Sequence, residues 1–328
     1  MRRAGIVLFS TAIMGVCVAT ATAQSAADHV DRGYRALEKR DLDRALADFN
    51  AALKADPKLV AAYRGRSLAY YHQQRFDLAL ADLDDAVRLD PNDARLRLER
   101  ADVYFAKARI EPARSDYDEA VRLAPSDPRA RVGRGWFYFL RGQNGLALDD
   151  IDEALKLNPN DPFTHWFRAA VLESLNKFDQ ALAELNETLR LASDDAIACT
   201  SRALLRVSNP QSAVYNPQLA FQDISTACTL SHLRNGQILA SLARIYAVSG
   251  DFSHAVEFAE RALDLDADTT KPDADNCRVQ PLEAVARALT RKDLDQFRTG
   301  KRFAIPPEPK IPRTAPLLRR SRWTFERP

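Results

Sequence analysis

The chain has few histidines, and it lacks recognisable catalytic motifs. Its five histidines are scattered along the sequence without the spacing of metal ligands. They are His29, His72, His165, His232 and His254. No Gly-x-Ser-x-Gly segment occurs, and Gly133-Arg134-Gly135 lacks the third glycine of a dinucleotide-binding loop. These absences predict a non-catalytic protein that binds no metal and no cofactor.

Long hydrophobic runs are absent after Ala23, which argues against a membrane span in the rest of the chain. Arg2 and Arg3 precede an apolar run over residues 4–19, and Ala21-Thr22-Ala23 has the pattern of a cleavage site. The run is too short for a comfortable span, so we predict a cleavable signal peptide over residues 1–23. The alternative is an uncleaved anchor. Cleavage after Ala23 predicts a periplasmic or secreted protein.

Cysteine is scarce, and the predicted cleavage would leave three: Cys199, Cys228 and Cys277. An odd number allows at most one internal bridge. Cys199 begins one predicted helix and Cys228 ends its antiparallel partner, so a disulfide between them is one expectation. Two buried thiols are the alternative. Cys277 is then either the partner of one of them or free.

The formal net charge is only +2, but it is unevenly distributed. Residues 301–328 carry eight basic and two acidic side chains with six prolines, whereas residues 24–300 are acidic. A nucleic-acid binder needs a contiguous basic surface on its folded part, so nucleic acid is not an expected partner. We predict that the tail is disordered by itself, and attachment to an anionic envelope surface is its possible function. A solvated tail without a partner is the alternative.

What the sequence has in abundance is an internal repeat, with a period of about 34 residues that is typical of helix-pair arrays. Four prolines follow apolar helical patterns at this interval: Pro57, Pro91, Pro125 and Pro159. Two rows of alanines keep the same step: Ala45, Ala79, Ala113, Ala147 and Ala181, and Ala52, Ala86, Ala120 and Ala154. A fixed period of this length indicates stacked helix pairs, which cannot bury their apolar faces singly.

The pattern resembles the tetratricopeptide repeat family, closely over residues 26–195 and loosely over 196–269. The resemblance implies an all-α, right-handed superhelical solenoid of antiparallel helix pairs, with about seven repeats. Residues 24–195 would hold five regular repeats and 196–269 two degenerate ones, with about five extra residues in the sixth. A linker and an amphipathic capping helix, at about 281–298, would follow within residues 270–300.

Charged residues repeat at the same interval as the prolines. The first helices carry arginine at one position: Arg32, Arg66, Arg100, Arg134, Arg168 and Arg202. The second helices carry an acid at one position: Asp48, Asp82, Asp116, Asp150, Glu184 and Asp223. The seventh repeat loses both charges together, at Leu242 and Phe258, so we predict a ladder of structural ion pairs. A row of arginines that binds anionic ligands is the alternative.

Large apolar residues recur on one face of the first helices. They are Leu68, Tyr71, Leu98, Phe105, Trp136, Phe139, Phe163 and Trp166. The family resemblance implies that this face lines a concave groove, and solvated helix faces rarely carry so many large apolar groups. We therefore predict a groove that binds a protein segment. In the alternatives, neighbouring repeats bury these residues, or the helix at 281–298 folds back over them.

A helical solenoid without a catalytic motif is usually a binding surface. We predict a non-catalytic scaffold or adaptor of the bacterial cell envelope, with a protein or peptide as its partner. Two alternatives remain open. One is an envelope tether that acts through the basic tail, and the other is an accessory subunit of an envelope enzyme. The sequence leaves the oligomeric state open.

Overall fold

The computed structural model describes residues 25–267, in which every regular element is an α-helix. Fourteen helices occupy this range: α1 (25–38), α2 (Leu42–Ala55), α3 (Val60–His72), α4 (Phe76–Leu89), α5 (Ala94–Ala106), α6 (Ile110–Leu123), α7 (Pro128–Leu140), α8 (Asn144–Leu157), α9 (Pro162–Ser174), α10 (Phe178–Leu191), α11 (Ala196–Ser208), α12 (Pro217–Leu230), α13 (Gly236–Val248) and α14 (Phe252–Ala267). The predicted signal peptide, Cys277, the capping helix and the basic tail lie outside the described residues.

Consecutive helices pack in pairs, from α3 with α4 to α13 with α14, and α1 meets α2 through Tyr34 and Phe49, with ring centroids 5.3 Å apart. Small residues lie where two helices approach most closely. A Cβ atom on Gly33 would come within 2.6 Å of the Phe49 ring, and Ala79 and Ala147 on second helices are fully buried. The predicted all-α solenoid of helix pairs is confirmed.

Aspartate caps begin several first helices. An Asp127 carboxylate oxygen accepts a hydrogen bond from the Arg129 backbone N–H at 2.9 Å, with Pro128 as the first helical residue. Asp161 accepts one from the Thr164 N–H at 2.7 Å. These caps satisfy donors that a helix leaves free at its start, so each turn fixes where the next pair begins.

The described chain forms two compact units, which divide between residues 124 and 125. Unit 1 contains α1 to α6 and unit 2 contains α7 to α14. Each unit is centred on large second-helix side chains that recur in the sequence register: Phe49, Leu83 and Tyr117 in unit 1, and Ile151, Leu185 and Ile224 in unit 2. Each of these side chains is at most 2% exposed, so the sequence period corresponds to a repeated core contact.

The sixth repeat contains the predicted insertion. The connection between α11 and α12 covers residues 209–216, whereas the connection between α5 and α6 covers only 107–109. The Asn216 N–H donates to the Arg206 carbonyl at 2.8 Å, and Val214 is buried in a cluster with Leu205. The extra residues therefore pack back onto their own repeat and leave its helix pair intact.

The turn between the two helices of a repeat uses a left-handed residue at a constant position. These residues, all with positive φ, are Arg40, Gln74, Ala108, Gly142, Asn176 and Gly250. At Ala108 φ is 56°, and the next residue, Arg109, donates its N–H to the Tyr104 carbonyl at 2.8 Å. This arrangement closes the helix with a Schellman-type hydrogen bond. Glycine adopts such a backbone without a Cβ penalty, which alanine has to bear.

Replacing Ala108 by glycine tests this strain. Ala108→Gly should raise the free energy of unfolding by about 1 kcal/mol, because the left-handed backbone costs an L-residue about 1–2 kcal/mol and glycine's unfolded-state entropy offsets part of the gain. Urea denaturation followed by circular dichroism measures the change. Ala106→Gly, at the helical end of α5, is the control and should lower stability. A loss of stability in Ala108→Gly would contradict the account.

Candidate functional site

Each ladder arginine lies against the acid of its own repeat. The shortest nitrogen–oxygen distances are 3.0 Å for Arg32–Asp48, 2.6 Å for Arg66–Asp82, 2.7 Å for Arg100–Asp116, 2.8 Å for Arg134–Asp150, 2.5 Å for Arg168–Glu184 and 2.6 Å for Arg202–Asp223. The acids are little exposed: Asp82 and Asp116 are 4% exposed and Asp150 is 3% exposed. The hydrogen bond to Asp82 raises the pKa of Arg66. These guanidinium charges are thus neutralised within the protein.

The same arginines also reach back to the preceding repeat, which the sequence reasoning missed. The second acceptors are Asn50 for Arg66 at 2.7 Å, Asp84 for Arg100 at 2.8 Å, Asp152 for Arg168 at 2.7 Å and Asn186 for Arg202 at 2.8 Å. All four acceptors precede their arginine by the same number of positions and keep the register of the repeat. One guanidinium therefore joins the second helices of two successive repeats, and the register of these acceptors was the signal that could have revealed it.

The seventh repeat replaces this polar contact with an apolar one. Leu242 is 6% exposed and lies in the same hydrophobic cluster as Phe258 and Ile224. The chain thus contains its own apolar version of the arginine–acid pair. This explains why both charges disappear together, since a buried charge without its partner is costly.

A double variant can test whether the ladder acts as a pair. Arg66→Leu should destabilise unit 1 by about 3–5 kcal/mol, because it leaves the Asp82 carboxylate buried without its cation. Adding Asp82→Phe, which copies the seventh repeat, should recover most of that loss. Urea denaturation of the wild type, both single variants and the double variant gives the coupling energy. A double variant no more stable than Arg66→Leu would contradict the pairing.

In unit 1, the predicted groove residues do not form an open apolar surface. Tyr71 is 7% exposed, Leu98 is 6% exposed and Phe105 is 1% exposed, while Leu68 is partly buried against the core cluster that contains Phe49. Tyr71 also packs edge-on against Phe76, with ring centroids 5.4 Å apart. These side chains fill space between helices, as in the alternative in which neighbouring repeats bury them. We therefore do not assign them to a binding surface.

In unit 2, the corresponding aromatic residues remain partly exposed and contact one another. We call Trp136, Phe139, Phe163 and Trp166 the aromatic groove cluster. The Trp136 ring lies 6.0 Å from Phe139, 6.5 Å from Phe163 and 6.3 Å from Trp166, in each case between centroids. Phe167 is fully buried and packs against the Trp136 ring, with ring centroids 4.8 Å apart. The cluster is therefore anchored in the core and presents ring surface to solvent.

A neighbouring residue that the sequence reasoning missed enlarges this surface. The Trp166 indole N–H donates to the Ser201 hydroxyl at 2.9 Å, which fixes the indole against α11. Ile197 lies one helical turn before Ser201 on the same helix and is 46% exposed. The sequence contained a signal for it, since Ile197 follows Phe163 by one repeat length.

Unit 1 instead holds polar contacts around the groove positions of α5. The Tyr117 hydroxyl donates to the Asp102 carboxylate, and Arg64 donates to Glu99 at 2.7 Å. Asp102 is 5% exposed. Burial raises the pKa of Asp102 to about 7, the hydrogen bond from Tyr117 opposes that rise, and the charge of Glu99 adds to it. Asp102 is thus a carboxyl group that ionises near neutral pH inside the fold.

The raised pKa of Asp102 predicts a pH dependence of stability. The folded pKa of about 7 lies above the ordinary value of 3.8, so the folded state binds an extra proton between these pH values. The contribution of Asp102 to the free energy of unfolding is therefore most favourable at low pH, and it is lost as the pH rises from 3.8 toward 7. Asp102→Asn, which keeps an acceptor for Tyr117, should be more stable than the wild type by about 1–3 kcal/mol at pH 8.

Thermal unfolding of both proteins between pH 5 and pH 8 measures this difference, which should shrink toward pH 5. Asp77→Asn is a suitable control, because Asp77 lies on an exposed second-helix surface beside Lys107, which lowers the pKa of Asp77. If the difference in stability between Asp102→Asn and the wild type stays constant with pH, Asp102 does not titrate in this range.

The disulfide expected between Cys199 and Cys228 is not formed in the structure, where both are free and buried thiols. Cys199 lies near the charges of Asp223 and Arg202, whereas Cys228 lies near Arg261 on α14. Burial is the main cause that raises the pKa of both thiols. The two side chains therefore have different surroundings: Cys199 lies at the charge pair of its own repeat, and Cys228 lies toward the next repeat.

Several histidines contact carboxylates. His29 lies 3.0 Å from Asp48, and His165 lies 2.7 Å from Glu184. Within residues 25–267, no group of three or more histidine, cysteine or acidic side chains is arranged to bind a metal ion. No helix in that range combines the length and the apolarity needed to cross a membrane.

Family models of the tetratricopeptide repeat match residues 30–94, 98–162 and 236–269, which together make up half of the chain. The chain belongs to the tetratricopeptide repeat family. No curated protein matches its sequence. Residues between the matched segments still fold as the same helix pairs, α9 with α10 and α11 with α12, so this tetratricopeptide repeat protein is continuous across them.

Several solved structures share the fold of this chain. A tetratricopeptide repeat protein from Parabacteroides merdae matches with a TM-score of 0.61 at 18% identity, over 82% of this chain and 99% of its own. Yeast Tom70 matches with a TM-score of 0.59 at 20% identity, over 85% of this chain and 56% of its own. pilF of Pseudomonas aeruginosa matches with a TM-score of 0.51 at 18% identity, over 65% of this chain and 91% of its own. At these identities the likeness shows the fold alone.

Proposed function

We propose that this tetratricopeptide repeat protein is a non-catalytic scaffold that binds a protein segment at the aromatic groove cluster. The observation that carries the proposal is the contact network of Trp136, Phe139, Phe163 and Trp166, which leaves large rings partly exposed on anchored helices. Repeat solenoids of this family are generally surfaces for protein–protein interaction. A contiguous apolar patch on a folded surface usually marks such an interaction.

The chemistry of the surface defines the partner class. Tryptophan and other aromatic side chains dominate protein interfaces, because a rigid ring buries a large area at little cost in conformational entropy. Among α7, α9, α11 and α13, the only acidic residue is Glu173. The ladder arginines on these helices are neutralised by second-helix acids. The partner segment therefore presents apolar side chains to the cluster.

We further propose that the protein acts in the bacterial cell envelope. The support is the charged start, short apolar run and Ala-Thr-Ala site within residues 1–23, which have the pattern of a signal peptide. The tether and accessory-subunit alternatives share this location. In the tether alternative, the tail 301–328 makes the functional contact. In the accessory-subunit alternative, the protein forms a stable complex with an enzyme.

The experiment uses two exposed residues of equal accessibility. Ile197 beside the aromatic groove cluster is 46% exposed, and Leu146 on α8 is 47% exposed. A photoreactive amino acid at position 197 in intact cells should cross-link a specific protein, and one at position 146 should not. Mass spectrometry then identifies that protein and gives the N-terminus of the captured chain, which reports cleavage after Ala23.

Affinity for the cross-linked protein is then measured with purified Ile197→Asp and Leu146→Asp. Both positions lie in the first turn of a helix, where an added acid is tolerated. Ile197→Asp should weaken binding by about 30-fold, the effect of a contact worth about 2 kcal/mol, and Leu146→Asp should leave it unchanged. Equal effects of the two variants would reject the groove. Binding abolished only by deletion of 301–328 would favour the tether.

A further inference from the structure

His165 contacts two hydrogen-bond acceptors, one through each nitrogen of its ring. Nδ1 lies 2.7 Å from a carboxylate oxygen of Glu184 on α10, and Nε2 lies 2.9 Å from the carbonyl oxygen of Pro159 in the turn between α8 and α9. The side chains of His165 and Glu184 are 14% and 13% exposed. The histidine therefore joins the first turn of α9 to α10 and to the turn that precedes α9.

These two contacts together need a proton on each ring nitrogen. A backbone carbonyl oxygen only accepts hydrogen bonds, and the Glu184 carboxylate also accepts one from Arg168 at 2.5 Å. A neutral imidazole has one N–H group, so it satisfies one of these oxygens and directs a lone pair at the other. An imidazolium donates from both nitrogens, and its charge strengthens both hydrogen bonds. The geometry therefore fits the charged form of His165.

The same repeat position carries a permanent cation in unit 1. Arg97 precedes His165 by two repeat lengths. One of its nitrogens donates to Asp116 at 3.2 Å, and another lies 3.5 Å from the Pro91 carbonyl oxygen. Both acceptors have the register of the two acceptors of His165. The chain thus makes one contact pattern with a guanidinium and with an imidazole, and of the two only the imidazole ordinarily changes its charge between about pH 5 and pH 8.

The other charged groups around His165 already have partners. α9 packs against α8 and α10. Arg168 donates to Asp152 of α8 at 2.7 Å in addition to its contact with the ladder acid. On α10, Glu187 pairs with Arg190 at 2.6 Å. When His165 loses a proton, the ladder acid therefore keeps Arg168 as its cation, and the carbonyl of the preceding turn loses its donor.

We propose that His165 is a pH-sensitive contact, which holds the start of α9 in its charged form and releases the Pro159 carbonyl when it loses a proton. Because only the charged form makes both hydrogen bonds, their contribution to stability is full at low pH and is lost as the pH rises through the range in which histidine discharges. Phe163 and Trp166 lie in the first two turns of α9. The pH thus sets how firmly these rings are held, and the meaning of this for binding rests on the proposed function.

Two substitutions separate the charged and neutral states. His165→Arg copies Arg97 and stays charged, whereas His165→Gln stays neutral. In urea denaturation, the wild type should resemble His165→Arg at about pH 5 and His165→Gln at about pH 8. The unfolding equilibrium constant of the wild type relative to His165→Arg should rise about tenfold over this interval, the effect of one lost charge-assisted hydrogen bond. This ratio cancels the titration of the other four histidines, and a ratio that is constant with pH would overturn the proposal.

Nitrogen-15 NMR of the full chain, labelled in histidine, reads the ring protons without a stability measurement. The spectrum of His165→Gln assigns the signals by their absence. At about pH 5 His165 should give two ring N–H signals that are protected from exchange with water, and at about pH 8 it should give one. Fewer than two protected signals at the lower pH, or two at the higher pH, would show that His165 does not act in this way.

Tryptophan fluorescence tests whether the contact supports the aromatic rings. The chain has three tryptophans, and Trp323→Phe leaves emission from Trp136 and Trp166. In this background, acrylamide quenching should increase from about pH 5 to pH 8 with His165 present and stay constant with His165→Arg. Equal quenching at both pH values in both proteins would overturn the effect on the rings. None of these measurements needs a partner, so their failure would leave the proposed function intact, and failure of the cross-linking experiment would leave their results unchanged.

Discussion

The rest of the structure depends on a partly buried guanidinium group shared between successive helix pairs. Arg100 donates to Asp116 in its own repeat at 2.7 Å and to Asp84 in the preceding repeat at 2.8 Å. The fixed planar geometry of guanidinium lets one side chain set the distance and register of three helices. Exposed ion pairs contribute little to stability, but a carboxylate as buried as Asp116 becomes costly once its cation is lost.

This arrangement of charge determines where binding can occur. The ladder arginines on the first helices are neutralised by second-helix acids, so the two units differ in the side chains on the remaining face of the first helices. In unit 1 that face holds the Arg64–Glu99 pair and the Asp102–Tyr117 hydrogen bond, with Phe105 buried beside them. In unit 2 it holds rings that stack on one another and remain partly exposed. A single repeat scaffold thus produces two surfaces with different chemistry.

This chain and the similar solved structures share an architecture. Proteins with TM-scores of 0.51 to 0.61 share fewer than a quarter of their residues with this chain. Two helices can pair when small residues lie where their backbones approach closely and large residues fill the remaining space. Many different sequences meet this requirement. The partner is selected by side chains that this pairing leaves free, such as Trp166 and Ile197, and these are not fixed by the fold.

The sequence by itself determined the all-α array of helix pairs and the spacing of the ladder, because a fixed repeat period reports the same neighbour contacts in each repeat. It also placed the extra residues of the sixth repeat. Only the tertiary structure decided which groove positions are exposed: Tyr71 is buried while Trp136 is partly exposed, although both were assigned to the groove from helical position. Exposure depends on the particular side chains that neighbouring repeats bring into contact, and periodicity treats those positions as equivalent.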